Sequence, residues 1–433
     1  MNEIVKLSKV AKYSNKRIIA KNVSLQTFIT TDNILQNKEG IKVATNLPPN
    51  ENAMPFYETN NILVGNIRPY LKKIWFANQE GGCSADVLVF EVKKGYDPKF
   101  IYYALFRDDF FNHMMQGSKG TKMPRGDKNQ ILDFLVPDFD FTTQQKIASV
   151  LSSLDSKIEL NNRINAELEA MAKTLYDYWF VQFDFPDING KPYKTSGGKM
   201  VWNKELKREI PEGWKLGCFG EYVKVKGGYA FKSSWWTEEG LPVIKIKDIN
   251  EDYTLSIENC SYVNKDKYES AKNYEAFPGD VVIALTGATI GKYGVVTKSE
   301  KPVLVNQRVG LFKLGNEPLI KLPFLINSLN QEYFRKTVFV IANGAAQPNI
   351  STDQIDEIPL ILPQNKILEN FNNKCSSFYG TILNNQTENK ELSSLRDWLL
   401  PMLMNGQVTV GGSVEKKIEY EIEEEMRMVA EQG

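Results

Sequence analysis

Histidine is almost absent from this chain, since His113 is the single one among 433 residues. A metal centre or acid–base enzyme that depends on several histidines is therefore excluded. Net charge is also lacking, because 53 Lys and Arg balance 53 Asp and Glu, and this excludes a uniformly basic nucleic-acid coat. The four cysteines contain no CxxC pair, so the sequence predicts neither a zinc knuckle nor a disulfide framework and favours a reducing cytosol.

Long apolar runs are missing as well. None approaches the roughly 20 residues that span a bilayer, and the N-terminal MNEIVKLSKVAK carries charges where a signal peptide needs an apolar core. We expect a soluble cytoplasmic protein without membrane contact. Hydrophobic residues make up 42% of the chain and charged residues 24%, as in ordinary globular proteins, and the length suits two or more domains.

The chain repeats itself once, at an offset of 224 residues. Further upstream the match needs gaps: NNILVGNIRPYLKKIWFA from Asn60 resembles GDVVIALTGATIGKYGVV from Gly279. The repeat predicts a globular head, a long helix, a second head and a second long helix. The pairs that match at the constant offset are Pro124 and Pro348, Ile131 and Ile355, Ile158 and Ile382, Asn161 and Asn385, Asn165 and Asn389, with Ser152-Ser153 matching Ser376-Ser377 and Glu167-Leu168 matching Glu391-Leu392.

Both predicted helices carry the alternating four- and three-residue spacing of a coiled-coil seam. Thr142 and Gln145 have capping-box spacing at the start of the first helix, and Pro186 limits its end. In the second helix Pro401 predicts a kink or an end, and Gly406 can close it. The seam residues are Ile147, Leu151, Leu154, Ile158, Asn161, Asn165, Leu168, Ala172, Leu175 and Trp179, then Phe371, Cys375, Phe378, Ile382, Asn385, Asn389, Leu392, Arg396, Leu399 and Leu403.

Two asparagines in each seam indicate how the helices pair. A buried amide without a partner is costly, so polar layers should match. Antiparallel pairing places Asn161 against Asn389 and Asn165 against Asn385. A parallel register would match them too, but it would carry the linker back along about 60 Å of helix, so we favour the antiparallel arrangement. The alternative is a surface helix hairpin whose asparagines tolerate solvent.

These observations predict an α+β protein with six segments. Two mixed α/β heads are separated by two long helices that form an antiparallel coiled coil, and a pseudo-two-fold axis relates the halves. The segments are head one at 1–141, helix one at 142–182, an exposed linker rich in Gly, Pro and Lys at 183–210, head two at 211–363, helix two at 364–408 and an acidic tail at 409–433.

Catalytic motifs are incomplete wherever they are suggested. GATIGK from Gly287 is too short for a phosphate-binding loop, and Tyr293 follows Lys292 where Ser or Thr belongs. NLPPNE from Asn46 and PDINGK from Pro186 likewise lack the rest of a methyltransferase or nuclease signature. No residue is predicted to be catalytic or to bind a metal.

Basic residues gather with amides and aromatics in particular loops of the heads. Flexible basic loops suit phosphate contacts, and Arg, Asn and Gln suit base edges. The alternative is that loop lysines merely solvate the surface. The predicted DNA contacts are Arg68, Lys72, Lys73, Lys119, Lys122 and Arg125 in head one, and Lys292, Gln307, Arg308, Asn343 and Gln347 in head two.

Several stretches resemble one family. They include FDFPDINGKPYKTSGGKMVWNKELKREIPEGW, the helix entry QQKIASVLSSLDSKIELNNRINAELEAMAKTLYDYWFVQFDFP and the ending RDWLLPMLMNGQV. This pattern resembles the DNA-specificity subunit of prokaryotic type I restriction-modification systems over nearly all of 1–408. The acidic tail is not part of the resemblance.

The resemblance implies a non-catalytic subunit with two target-recognition domains. Each domain would recognise one half of an interrupted DNA sequence, and the paired helices would set the spacer and dock methyltransferase and restriction subunits. S-adenosylmethionine, ATP and Mg²⁺ are then expected only in those partner subunits, with no cofactor in this chain. Two alternatives stay open, namely a scaffold that does not bind DNA and a DNA-modifying enzyme that acts alone.

Overall fold

The computed structural model describes residues 3–250, 252–342 and 348–410. The chain forms two compact units. Unit 1 comprises Met1–Ile158 and Glu391–Gly433, and unit 2 comprises Glu159–Lys390. Each predicted long helix therefore contributes residues to both units.

Unit 1 is built on two four-stranded sheets and a short ladder. The first sheet has the order β2-β9-β6-β7 with antiparallel neighbours, the second has the order β3-β5-β8-β4, and β1 pairs with β10. The strands are β1 (Glu3–Lys6), β2 (Ala11–Tyr13), β3 (Arg17–Ile19), β4 (Phe28–Ile29), β5 (Ala53–Tyr57), β6 (Ile62–Gly65), β7 (Ile74–Phe76), β8 (Gly81–Cys83), β9 (Val87–Val92) and β10 (Leu135–Asp138). The helices are α1 (Leu7–Val10), α2 (Pro98–Phe106), α3 (Asp108–Gln116), α4 (Lys128–Ile131) and α5 (Phe141–Tyr176).

Unit 2 repeats this plan with additions. Its first sheet, β14-β22-β19-β20, has the same antiparallel pairing, the second sheet has five strands in the order β15-β17-β16-β21-β18, and β13 pairs with β23. The strands are β11 (Met200–Asn203), β12 (Arg208–Pro211), β13 (Lys215–Cys218), β14 (Val225–Gly227), β15 (Trp236–Thr237), β16 (Leu241–Ile244), β17 (Ser261–Val263), β18 (Glu275–Ala276), β19 (Val281–Ala284), β20 (Tyr293–Val295), β21 (Val303–Val305), β22 (Val309–Phe312) and β23 (Pro359–Leu362). The helices are α6 (Phe219–Tyr222), α7 (Tyr268–Ala271), α8 (Leu322–Leu329), α9 (Glu332–Ala342), α10 (Thr352–Asp356) and α11 (Asn365–Met404).

The central strands are buried because they are nearly continuous runs of Val, Ile and Leu. All four residues of β6 and of β19 are buried, as expected for strands covered on both faces. Aromatic side chains fill the space between the sheet and the helices in each unit, among them Phe100 and Phe110 in unit 1 and Phe324 and Phe371 in unit 2. The mixed α/β heads predicted from the sequence are confirmed.

Each unit has a side-chain hydrogen bond between a head helix and a long helix, and the residues involved are related by the repeat offset of 224. Tyr103 Oη donates to Asp155 Oδ2 at 2.6 Å and joins α2 to α5 in unit 1. The matching residues of unit 2, Asn327 and Tyr379, join α8 to α11, where Asn327 Nδ2 donates to Tyr379 Oη at 3.0 Å. Both units therefore fasten a head helix to a long helix by a polar contact, but with different donors and acceptors.

The start of α5 differs from the sequence-based expectation. Asp140 is the capping residue, since its carboxylate accepts from the Thr143 amide at 3.0 Å and from the Thr143 hydroxyl at 2.6 Å. These hydrogen bonds hold the pKa of Asp140 below its usual value. The predicted capping box at Thr142 and Gln145 is wrong, because Thr142 already lies inside the helix.

The ends of the long helices are set by packing as well as by proline. After Tyr176, α5 continues as one wider turn, Asp177–Val181, so it ends before Pro186. In α11 the helix runs through Pro401 to Met404. Gly406 then adopts a left-handed φ of 68°, and its amide donates to the Leu403 carbonyl at 3.2 Å. Gly406 thus closes the helix as predicted.

Within unit 2, α5 and α11 pair antiparallel through the predicted asparagine layers. Asn161 Nδ2 donates to Asn389 Oδ1 at 2.8 Å and to Glu388 Oε2 at 2.7 Å. Asn385 Nδ2 donates to Asn165 Oδ1 at 2.9 Å. The opposed positions rise along one helix as they fall along the other, which confirms the antiparallel choice. Asn161 and Asn165 are buried, whereas Asn385 and Asn389 are half-buried, and this argues against asparagines that merely tolerate solvent.

Within unit 1, the two helices meet at a charged position of the seam. Arg396 Nη1 lies 2.7 Å from Asp155 Oδ1, and the two side chains are only 13% and 29% exposed. The Arg396 guanidinium also lies 4.7 Å from the centre of the Phe106 ring. Beyond this pair, Leu400 and Leu403 pack in the core that contains Ile147 and Leu151.

The segment predicted as an exposed linker is partly buried. Phe183 and Phe185 are 1% and 4% exposed and pack against Trp214 with ring centres 5.4 and 5.1 Å away. The prediction is wrong for this stretch, because the aromatic residues of FDFP outweigh its Gly, Pro and Lys neighbours and enter the core of unit 2. The rest of the segment includes the two-stranded ladder β11–β12.

Two features are absent from the described residue ranges. No helix in them is long and apolar enough to cross a membrane. No group of three or more His, Cys, Asp or Glu side chains in them could hold a metal ion. Nearly all of the predicted acidic tail, from Gly411 on, lies outside the described residues.

Candidate nucleic-acid interface

All six predicted contact residues of unit 1 lie in two adjoining loops. The hairpin loop, residues 66–73, joins β6 to β7, and the basic loop, residues 117–127, joins α3 to α4. The Arg68 amide donates to the Pro124 carbonyl at 2.8 Å, and Ile67 forms an antiparallel bridge with Arg125. The backbone therefore brings the two loops into one surface, although residues 74–116 separate them in the sequence.

Backbone hydrogen bonds within the basic loop fix its conformation. Lys119 and Arg125 exchange backbone hydrogen bonds of 3.0 Å in both directions, so the loop is a small hairpin. Lys119 and Arg125 are 84% and 59% exposed along their side chains, and Lys122 is exposed as well. Exposed basic side chains on a fixed backbone are suited to contact phosphate groups.

Two predicted contacts of the hairpin loop are already bonded inside unit 1. Lys72 Nζ lies 2.7 Å from Asp108 Oδ2, and Lys38 Nζ lies 2.8 Å from Asp108 Oδ1. Burial opposes ionisation of Asp108, but these two hydrogen bonds outweigh it and lower the pKa of the carboxyl group. Lys73 Nζ donates to the Thr31 carbonyl, and its partial burial lowers the pKa of the ammonium group. Structural contacts therefore occupy the ammonium groups of both lysines.

Arg68 is different from its basic neighbours. Its backbone lies in the left-handed region at φ 51°, which costs a side-chain-bearing residue about 1–2 kcal/mol relative to glycine. Its Nε atom is buried and has no hydrogen-bond partner. Fold stability alone does not account for an arginine at this position.

Unit 2 forms the same junction with different side chains. Its hairpin loop, residues 285–292, joins β19 to β20, and the Gly287 amide donates to the Pro348 carbonyl at 3.0 Å. Thr286 forms an antiparallel bridge with Asn349, as Ile67 does with Arg125. The hydrogen bonds thus match residue by residue, and Gly287 stands where unit 1 has Arg68.

The first residue of each hairpin loop also makes a matching backbone hydrogen bond in the two units. The Asn66 amide donates to the Asp86 carbonyl at 2.8 Å, and the Leu285 amide donates to the Arg308 carbonyl at 3.0 Å. In unit 1, Asp86 holds Arg125 through an ion pair of 2.9 Å. In unit 2, the corresponding positions carry Arg308 and Asn349. The acidic and basic pair of unit 1 is therefore replaced in unit 2 by a basic residue and a neutral amide.

Three of the five predicted contacts of unit 2 lie in or next to its hairpin loop. Lys292 closes the hairpin loop, since its carbonyl accepts from the Ala284 amide at 2.7 Å. Gln307 and Arg308 are exposed in the turn between β21 and β22. Asn343 and Gln347 lie outside the described residues.

An aromatic and basic cluster adjoins the turn of unit 2 and extends the candidate surface beyond the predicted residues. The Gln307 amide donates to the Tyr229 carbonyl at 2.9 Å, and the Tyr229 ring stacks on Trp235 with centres 5.7 Å apart. Lys232 and Lys267 lie 5.9 and 5.8 Å from the centre of the Trp235 ring. The sequence signal for this cluster is the run of basic and aromatic residues that contains Tyr229, Phe231 and Lys232. Nothing in the sequence indicates that Asp86 pairs with Arg125.

Comparison with known proteins gives a consistent result. A family model described as the type I restriction modification DNA specificity domain matches residues 2–170 and 211–393, which are the two repeats. The type I restriction enzyme HindI specificity subunit of Haemophilus influenzae is 26% identical over 446 residues, which covers 88% of this chain and 94% of that protein. The MjaIX specificity subunit of Methanocaldococcus jannaschii is 25% identical over 320 residues, covering 73% and 71%.

A solved structure supports the fold. The crystal structure of the type I restriction-modification S subunit from M. genitalium matches with a TM-score of 0.51 at 17% sequence identity. The alignment covers 93% of this chain and 96% of that one. The arrangement of two similar heads and two long helices is therefore shared with a known fold.

Proposed function

This chain belongs to the type I restriction-modification DNA specificity family, and we propose that each of its units recognises one half of an interrupted DNA sequence. The observation that carries the proposal is the matched junction of two loops, which both units build with the same backbone hydrogen bonds. A common backbone with different side chains is what two different half-sites would require, because side chains distinguish base edges. Recognition of DNA sequence is the role of this family.

The contacts divide by chemistry. Lys119, Lys122 and Arg125 are exposed enough to bind phosphates in unit 1, although Lys119 and Arg125 also pair with Asp127 and Asp86. In unit 2 the proposed phosphate contact is Lys292, at the position of the hairpin loop that matches Lys73. Gln307 and Arg308 carry the donor and acceptor groups that base edges require. Asn343 and Gln347 complete the set by their position in the sequence. Lys72 and Lys73 contribute positive potential more than direct contacts, because their ammonium groups are bonded to Asp108 and Thr31.

The long helices present a surface for the partner subunits. Trp398 and Leu395 on α11 are 57% and 42% exposed, although both are large and apolar. Apolar side chains of this size on a helix face are typical anchors of protein–protein interfaces. We assign them to docking of the methyltransferase subunits, with restriction subunits joining the assembly.

Catalysis belongs to those partners in this proposal. The chain supplies sequence recognition and geometry, while S-adenosylmethionine, ATP and Mg²⁺ bind to the methyltransferase and restriction subunits. The net charge of zero is consistent with this division, since a chain with 53 basic and 53 acidic residues has little electrostatic affinity for DNA by itself. The complex would act in the prokaryotic cytoplasm.

A methylation assay tests the proposal against its two rivals. The chain is combined with the methyltransferase subunits of its own locus and incubated with radiolabelled S-adenosylmethionine and a library of DNA duplexes. We expect methylation of a small subset of duplexes, none by the methyltransferase alone and none by this chain alone. Methylation by this chain alone would establish a stand-alone enzyme, and methylation that ignores sequence in the assembled complex would favour a scaffold.

A further inference from the structure

The hairpin loops of the two units share a backbone conformation but carry different residues at two matching positions. Unit 1 carries Arg68 and Lys72 with φ of 51° and 50°, and unit 2 carries Gly287 and Gly291 with φ of 84° and 78°. Left-handed backbone at these positions is therefore a property of the loop itself. Glycine adopts it without strain, whereas a side chain must be retained against a conformational cost.

The two basic residues differ in what they do inside the protein. Lys72 has a structural partner, because its ammonium group lies 2.7 Å from Asp108. Arg68 has none of this kind: its Nε is buried without a hydrogen-bond partner, and no carboxylate pairs with its guanidinium among the residues that the structure describes. The buried Nε is not itself open to a ligand, but no ion pair within the described part of the chain holds the half-buried guanidinium, so its terminal Nη groups are left for a ligand that supplies acceptors.

The surroundings identify the ligand. The Arg68 amide is bonded to Pro124, which fixes this residue beside the basic loop that carries Lys122 and Arg125. When the exposed residues of that loop contact phosphates, Arg68 lies within the same DNA footprint but is partly sheltered from water. An arginine so placed suits the two acceptors of a guanine, O6 and N7, which accept its fork of donors together.

We propose that Arg68 is a specificity-determining residue that recognises a guanine in the half-site bound by unit 1. The inference rests on the proposed function and deepens it, since it separates a base contact from the general phosphate contacts of the same loops. Unit 2, with glycine at the matching position, has no corresponding contact and uses Gln307 and Arg308 in the neighbouring turn.

The test replaces Arg68 with glycine, the residue that unit 2 has at the matching position. Arg68→Gly removes the side chain and relieves the backbone, so the melting temperature of the purified chain should stay the same or rise. The variant, Arg68→Lys and the wild type are each co-expressed with the methyltransferase subunits, and the methylated motif is determined by sequencing. We expect at least about a tenfold loss of preference for one guanine in one half-site with both variants, with the other half-site and the spacer unchanged.

Lys207→Gly is the matched control, because it relieves the same kind of backbone strain, at φ 50°, and removes one positive charge from a turn outside the two loops. It should leave the motif unchanged. A second reference, Arg308→Ala, should relax the other half-site and so assign each half to its unit.

Three results would overturn the inference. The wild-type motif could lack guanine in the half-site of unit 1, or Arg68→Gly could leave the motif unchanged, or it could lower methylation equally at every site, which is the behaviour of a phosphate contact. In all three the wild type still methylates a bipartite motif, so the proposed function survives. Failure of the wild-type complex to produce any sequence-dependent methylation would overturn both.

Discussion

The carboxylate of Asp86 lies 2.9 Å from the guanidinium of Arg125 in unit 1, at a junction where unit 2 carries Arg308 and Asn349 instead. Asp86 therefore offsets positive charge of the basic loop, whereas the matching position of unit 2 carries the basic residue Arg308. An acidic residue in a DNA-binding surface opposes phosphate binding, so its presence points to positioning of Arg125.

Removal of this carboxylate should strengthen binding while weakening selectivity. In Asp86→Asn we expect the assembled complex to bind non-specific duplex severalfold more tightly, with a salt dependence steeper by about one unit of log–log slope. Titrations at several salt concentrations measure both quantities. Asp133→Asn, which breaks the exposed pair with Lys6 at 2.7 Å, is the control and should change neither by a comparable amount. Unaltered or weaker non-specific binding by Asp86→Asn would argue against contact between this loop and DNA.

The half-buried pair Arg396 and Asp155 should be important for the stability of unit 1. Arg396→Met leaves Asp155 with Tyr103 as its remaining partner, and we expect a loss of about 3 kcal/mol in the free energy of unfolding. Chemical denaturation followed by circular dichroism measures this. The double variant Arg396→Met with Asp155→Leu should recover part of the loss, because no uncompensated charge remains.

A matched control for this variant lies on the same helix. Lys390→Met breaks an ion pair of 3.1 Å with Glu258 whose side chains are 34% and 53% exposed. Its effect should stay below about 1 kcal/mol. Equal destabilisation by Arg396→Met and Lys390→Met would show that burial of the Arg396 pair contributes nothing.

The exposed face of α11 should be needed for assembly. Trp398→Ala removes a side chain that is 57% exposed, so the fold should be retained while the affinity for methyltransferase subunits falls at least tenfold. Pull-down and analytical ultracentrifugation with the purified subunits measure the loss. Trp202→Ala removes a tryptophan of similar exposure, 59%, from β11 and should leave assembly intact. If the two variants behave alike, Trp398 is not a docking residue.

The paired helices should set the spacer between the half-sites. Deleting seven residues around Asn165 and the opposed seven around Asn385 removes one polar layer from both helices and keeps Asn161 against Asn389. Each helix shortens by about 10 Å, so we expect the preferred spacer to shorten by about three base pairs. Sequencing of the methylated motif gives the spacer directly. An unchanged spacer in a complex that still methylates DNA would refute this role for the helices.

Much of the scaffold follows from the sequence because its signals are periodic. The seam spacing predicted both long helices. The asparagines predicted which layers meet, since each unpaired amide would carry a cost, and the length of the connecting chain selected the antiparallel arrangement over the parallel one. The position of Asp140 as the helix cap, by contrast, depends on which of several neighbouring Asp and Thr residues the chain turns at. Phe183 and Phe185 were misassigned because composition averages over a segment, whereas burial is decided by individual aromatic side chains.

The candidate site was only partly predictable. Basic residues identified the hairpin loop and the basic loop separately, but their meeting depends on backbone bonds such as that from Arg68 to Pro124. The internal partners of Lys72 and Lys73 could not be seen either, because Asp108 and Thr31 are distant in the sequence. Charge and residue type indicate which side chains can bind DNA, and only tertiary contacts show which are already engaged.

The most direct test of the central claim is the methylome of cells that carry this chain with the methyltransferase subunits of its locus. We predict a single methylated motif made of two specific half-sites separated by a fixed number of unspecified base pairs, and no such motif when this chain is deleted. A contiguous motif, or the same methylation pattern without this chain, would contradict the account.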